Sequence, residues 1–132
     1  MMNLNIRVIT PDKIIWDALV EEVFLPSVTG QIGILKNHIP LLTGLDIGVM
    51  RLKLSTGETT IFLGGGFAEI ENNRITILCT EAQEKSSIDA EATKKELTNV
   101  TAVLKEAITN KEFIQATIDL KKAKAKLQAI ST

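Results

Sequence analysis

Apolar and polar positions alternate in short bursts from Leu4 to about Ala82. Leu4, Ile6 and Val8 are spaced by Asn5 and Arg7, and Thr10-Pro11-Asp12-Lys13 then breaks the run. A period of two is what a strand buried on one face requires. Further bursts cover 14–20, 23–25, 31–35, 49–54, 59–63, 67–70 and 75–80, with Thr29-Gly30, Thr56-Gly57 and Asn72-Asn73 placed between them as hairpin turns. So many short strands, each with one face to hide, predict an all-β sandwich or flattened barrel.

The period lengthens after the polar stretch Gln83 to Ser87. Leu97, Val100, Leu104 and Ala107 recur in steps of three and four, and so do Phe113, Ala116, Leu120, Ala123, Leu127 and Ile130. Each set forms one stripe of a helix, so an antiparallel two-helix hairpin is expected. Asp89 is the expected N-cap of the first helix and Thr109-Asn110 the expected break. The domains are therefore placed at 1–84 for the β-sandwich and 85–132 for the hairpin. The second stripe is thin, with alanine at two of its positions, and such a pair gains only a few kcal/mol beyond its ordering entropy at about 25 cal/mol per Å². Detachment and rearrangement of the hairpin are expected.

Composition narrows the function. The chain has 132 residues, 45% hydrophobic, which suffices for a core without covalent staples. A net charge of −1, no Tyr and one Trp argue against nucleic acid as a partner. The single cysteine, Cys79, lies in the apolar run 75–80 and reads as an inert core thiol. No apolar run approaches the roughly 20 residues of a spanning helix, and no leader pattern opens the chain. Any membrane association is expected to be indirect.

Catalytic chemistry finds little purchase. His38 is the only histidine and has no neighbouring nucleophile. One Cys and one His do not make a zinc site, and no metal or other cofactor is expected. Gly64-Gly65-Gly66 lacks the Gly-Lys-Ser/Thr of a phosphate loop and reads as a bulge or close strand crossing. Glu21 and Glu22 are adjacent on a strand, hence on opposite faces, and do not form an acid–base pair. The segment from Gly30 to Thr43 stays open between a plain connection and a partner-binding loop, with chemistry alone favouring the former.

Several stretches in fixed order carry a resemblance along essentially the whole chain. They are Val8-Ile9-Thr10-Pro11-Asp12, Ile15-Trp16-Asp17, Gly30-Gln31-Ile32-Gly33-Ile34-Leu35, Asn37-His38-Ile39-Pro40-Leu41-Leu42-Thr43, Asp46-Ile47-Gly48 and Gly65-Gly66-Phe67-Ala68. The sequence resembles the epsilon subunits of F-type rotary ATP synthases, and the Trp16 and Asn37-His38 stretches resemble the plastid and cyanobacterial branch. The resemblance implies a sandwich of about ten strands followed by two helices, in a non-catalytic rotor subunit that couples rotation to ATP synthesis and restrains ATP hydrolysis. It implies a γ-subunit and c-ring interface at Gln31, Gly33, Asn37, His38, Pro40, Leu42 and Thr43. It also implies contacts between the second helix and the α/β catalytic head. From Lys111 onward five lysines and two acids give +3; Lys121, Lys122, Lys124 and Lys126 are the expected docking charges. Some bacterial relatives bind ATP through an Ile/Leu-Asp-x-x-Arg-Ala motif. Here Ile88 and Asp89 are followed by Ala92 where the Arg would stand, so ATP binding is expected to be weak or absent. The implied location is the stromal side of the plastid thylakoid, with a cyanobacterial thylakoid or a bacterial inner membrane as alternatives.

Overall fold

The computed structural model describes residues 4–131. Its strands are β1 (Leu4–Ile9), β2 (Ile14–Val20), β3 (Glu22–Ser27), β4 (Gly30–Ile34), β5 (Leu41–Leu54), β6 (Gly57–Glu71), β7 (Arg74–Cys79) and β8 (Ala82–Glu84). A 3-10 turn at Lys85–Ser87 leads to α1 (Ala90–Lys105) and α2 (Asn110–Ser131). The strands pair in the order β2-β1-β7-β6-β5-β3-β4, with β8 added to β6. All pairs are antiparallel except β1 with β7, which sets Ile6 beside Ile75.

Leu4, Ile6 and Val8 point inward to meet Ile75, Ile77, Leu25, Met50 and Leu52, all at most 1% exposed. This is the burial that period-two patterning demands. The sandwich followed by a helical hairpin agrees with the sequence-based expectation. The turns do too: Ser27 faces Gly30, Leu54 faces Gly57 and Glu71 faces Arg74 across three hairpins. Asn72 and Asn73 hold φ of 51° and 62°, the left-handed pair of a type I′ turn.

The strand count differs from about ten. Eight strands are present among the described residues, and two of them, β5 and β6, are long, at 14 and 15 residues. Counting their halves separately recovers ten. At Gly64-Gly65-Gly66 the ladder runs from Leu45 opposite Gly66 to Ile47 opposite Gly64 in one register, with Asp46 and Gly65 both skipped between them. A Cβ on Gly66 would run into the Leu78 carbonyl, and one on Gly64 would approach the Glu81 Cβ to 2.9 Å. The triple glycine is thus a close strand approach that leaves no room for side chains, with no extra residue on either strand.

Two segments read as loop are strand. Leu41, Leu42 and Thr43 open β5, and Ala82–Glu84 form β8 against Leu63, Phe62 and Ile61. Glycines in β5 lowered its apparent strand character, yet they serve packing: a Cβ on Gly48 would lie 2.9 Å from Pro26 Cβ.

α2 packs on α1 and on strands β5 and β6. The helix therefore needs two buried faces, which a single stripe does not provide. Phe113, on the expected stripe, is 54% exposed, whereas Ala125 and Ala129, off it, are buried. Ala116, Ala123, Ala125 and Ala129 are the buried residues of α2. At about 0.8 kcal/mol for each methyl, their burial contributes only a few kcal/mol.

Candidate protein-binding surfaces

One candidate surface runs from β4 through the β4–β5 connection into the start of β5. Gln31 and Gly33 lie on β4, Asn37, His38 and Pro40 in the connection, and Leu42 and Thr43 on β5. The structure brings these expected residues along one continuous stretch. A turn fixes the connection: the His38 amide donates to the Leu35 carbonyl at 3.1 Å. Asn37 adopts φ of 65°, a left-handed conformation that Asn tolerates well. Its amide donates to Asn73 Oδ1 at 2.6 Å, and Asn73 Nδ2 returns a bond to Asn37 Oδ1 at 3.4 Å. His38 Nδ1 lies 2.6 Å from the carbonyl oxygen of Ile39.

The pinned connection displays apolar side chains outward. Leu35, Ile39 and Leu42 are 57%, 73% and 70% exposed. Apolar anchors on a braced loop are suited to a protein partner. Sequence reasoning named Leu42 but missed Leu35 and Ile39, because a run of apolar residues reads equally well as core. Their position beyond the end of β4 was the available signal. Phe67 and Leu78, paired across β6 and β7 on the outer face, are also exposed and were not singled out.

The second candidate is α2. Lys121 Nζ lies 3.0 Å and 3.2 Å from the two carboxylate oxygens of Asp46. Its charge, foremost through that hydrogen bond, holds the Asp46 carboxyl below its ordinary value. Lys122 and Lys126 both reach Glu81, at 3.3 Å and 3.6 Å. Lys126 also stands 5.2 Å above the centre of the Phe62 ring. Lys124 is exposed. Thr60 donates its hydroxyl to the Ala129 carbonyl at 2.7 Å, satisfying one of the carbonyls that a helix end leaves without a partner.

The stretch from Ile88 to Ala92 is a helix start. Asp89 caps α1 by accepting from the Ala92 amide at 3.1 Å, and its carbonyl accepts from Thr93. Thr109 begins α2 in the same way, accepting from the Glu112 amide, while Glu112 accepts from the Ile108 amide. No cluster of three or more His, Cys, Asp or Glu side chains suited to a metal occurs among the described residues. The recess beside Gly66 is lined by Ile9, Pro11, Phe67, Leu78 and Cys79 and offers no acid or base. Burial pushes the Cys79 thiol up to about 11, consistent with an inert core cysteine.

Comparison with known proteins decides the family. Residues 3–85 match the model of the ATP synthase delta/epsilon chain β-sandwich domain. The chain is 58% identical over 130 residues to the chloroplastic ATP synthase epsilon chain of Emiliania huxleyi, covering 98% of this chain and all of that one. The chain belongs to the ATP synthase epsilon family. Other epsilon chains align as fully. That of Guillardia theta, also chloroplastic, is 55% identical over 98% of this chain and 99% of its own. The epsilon chain of the cyanobacterium Synechocystis is 47% identical over 97% and 96%. The fold recurs in a chain of the Euglena gracilis mitochondrial ATP synthase structure containing OSCP, F1 and the c-ring, with a TM-score of 0.85 and 21% identity over all of this chain and 83% of that one. Epsilon-family membership fits a stalk subunit rather than a catalytic one, and the chloroplastic relatives support a plastid location.

Proposed function

We propose that this chain is the coupling and braking subunit of a proton-translocating rotary ATP synthase. Residues 1–84 act as the rotor-binding unit and 85–132 as a movable regulatory arm. The Leu35, Ile39 and Leu42 rim, with Gln31, Gly33, Asn37, His38, Pro40 and Thr43 around it, binds the γ subunit and the c-ring, so that ring rotation reaches the catalytic head. When the arm leaves the sandwich, it reaches the α/β head through Lys121, Lys122, Lys124 and Lys126 and slows ATP hydrolysis. The complex works on the thylakoid membrane, with this subunit on the stromal side.

The observation that carries the reading is the alignment of the epsilon chains through the helical arm as well as the sandwich. The all-alanine buried set of α2 supports the movement, since each buried alanine holds the helix to its neighbours only weakly. Deletion of everything after Ser87 tests the division of labour. The truncated chain is expected to retain γ binding while ATP hydrolysis by the reconstituted soluble complex rises. Unchanged hydrolysis would remove the brake from the proposal, and lost γ binding would remove the sandwich as the rotor-binding unit.

A further inference from the structure

The triple glycine does more than let neighbouring strands approach closely. Asp46 and its opposite Gly65 are both passed over in the ladder between Leu45–Gly66 and Ile47–Gly64, and the Asp46 Oδ1 accepts from the Ile47 amide at 2.8 Å. Glu81 sits against Gly64, whose amide donates to the Glu81 carbonyl at 2.8 Å. The triple glycine therefore carries one acid on either side of it. Both acids meet α2: Asp46 takes Lys121, and Glu81 takes Lys122 and Lys126, one helical turn apart.

We propose that Asp46 and Glu81 form a charge latch, which holds the arm on the sandwich and masks the lysines with which the arm would grip an acidic partner. This rests on the arm being the brake described above. Three of the four lysines are engaged in the docked state, and the Lys126 side chain is only 15% exposed between Glu81 and Phe62. An acidic surface must take these cations from Asp46 and Glu81 before the arm can bind it. Latch and brake thus compete for the same charges. Each partly exposed pair is weak alone, but two acids holding three lysines bias a loosely packed arm. Lys124, exposed on the same turns, is free for first encounter.

Competition gives a signature that simple destabilisation lacks. Neutralising an acid weakens the latch alone and strengthens inhibition. Neutralising Lys124 weakens the brake alone and relieves it. The test uses the full chain with nitroxides at Thr56→Cys on the sandwich and Glu106→Cys on the arm, in a Cys79→Ala background. Electron–electron dipolar distances then report docked and open arms. Glu81→Gln is expected to raise the open fraction about threefold, the scale of a partly exposed ion pair, with Asp46→Asn adding to it and Lys124→Gln leaving it unchanged. An unchanged distribution in the Asp46→Asn, Glu81→Gln double variant would overturn the latch. Equal opening by Lys124→Gln would also overturn it, because the response would then be general. Hydrolysis by the reconstituted complex is expected to fall with the acid variants and rise with Lys124→Gln. An arm that opens while hydrolysis stays constant upholds the latch and refutes the brake.

Discussion

Asn37 and Asn73, 36 residues apart, are joined by two hydrogen bonds while both hold left-handed backbone conformations. Asn73 also accepts from the Asn5 amide through its carbonyl at 3.0 Å. One side chain thereby braces the candidate γ-binding connection against the β6–β7 turn. Asn73→Gly keeps the backbone conformation but loses the side-chain bonds, and is expected to cost about 1 kcal/mol. Asn73→Ala adds left-handed strain of about 1 kcal/mol. Urea midpoints for the two variants measure the difference; equal midpoints would mean the turn has relaxed.

In the triple glycine, Gly66→Ala is expected to cost several times more than Gly57→Ala. The new methyl at Gly66 meets backbone atoms of Leu78 and Cys79, whereas at Gly57 it meets open space and only the positive φ of 133° opposes it. We expect about 1 kcal/mol at Gly57 and about 3 kcal/mol or more at Gly66. Thermal unfolding of both variants checks the order.

The buried Cys79 thiol sets an alkaline limit. Its folded pKa is raised from 9.0 to about 11, so the folded chain keeps a proton that the unfolded chain releases between these values. The stabilisation is full below pH 9 and declines as pH rises towards 11, by roughly 2–3 kcal/mol in total. Cys79→Ala should flatten that decline in denaturant titrations from pH 8 to 11. The native thiol should also resist a disulfide reagent at pH 8 until the chain unfolds.

At the proposed γ interface, Leu42→Glu and Thr43→Arg place charge where apolar contact is expected. Each is expected to weaken γ binding at least tenfold without changing the thermal midpoint by more than a few degrees. His38→Glu should act in the same direction. Reconstitution at unchanged affinity would move the interface to another face, with Phe67 and Leu78 next in line.

ATP should not saturate the isolated chain at micromolar concentrations. Ala92 provides no cation, and the Asp89 carboxylate is engaged as a helix cap. Isothermal titration provides the measurement, and a low-micromolar dissociation constant would show that the start of α1 binds nucleotide without that arginine.

Much of the sandwich was legible because burial on one face imprints period two directly, as in Leu4, Ile6 and Val8. The run Thr60 to Leu63 is buried at every position, since core covers Ile61 and Leu63 while Thr60 and Phe62 face the helical arm. No alternation survives there, so the sequence could reveal a strand but not its second cover. The start of β5 was hidden for the opposite reason: glycines required by Val28 and Pro26 leave no pattern of their own. The hairpin's existence was readable from its stripe. Its docking face was not, because alanines and lysines on a helix look the same whether solvent or a sheet lies opposite. The lysines themselves were singled out, while their partners Asp46 and Glu81 are 75 and about 40 residues away along the chain.

The parallel pairing of β1 with β7 has a consequence for biosynthesis. β1 lies between β2, made next, and β7, made some seventy residues later. Its inner side chains have no complete housing until Cys79 has left the ribosome, and loop-closure entropy makes that late pairing slow. Growing chains stalled before residue 74 should therefore display an unpaired strand edge and recruit chaperones, and release from them should coincide with the emergence of β7.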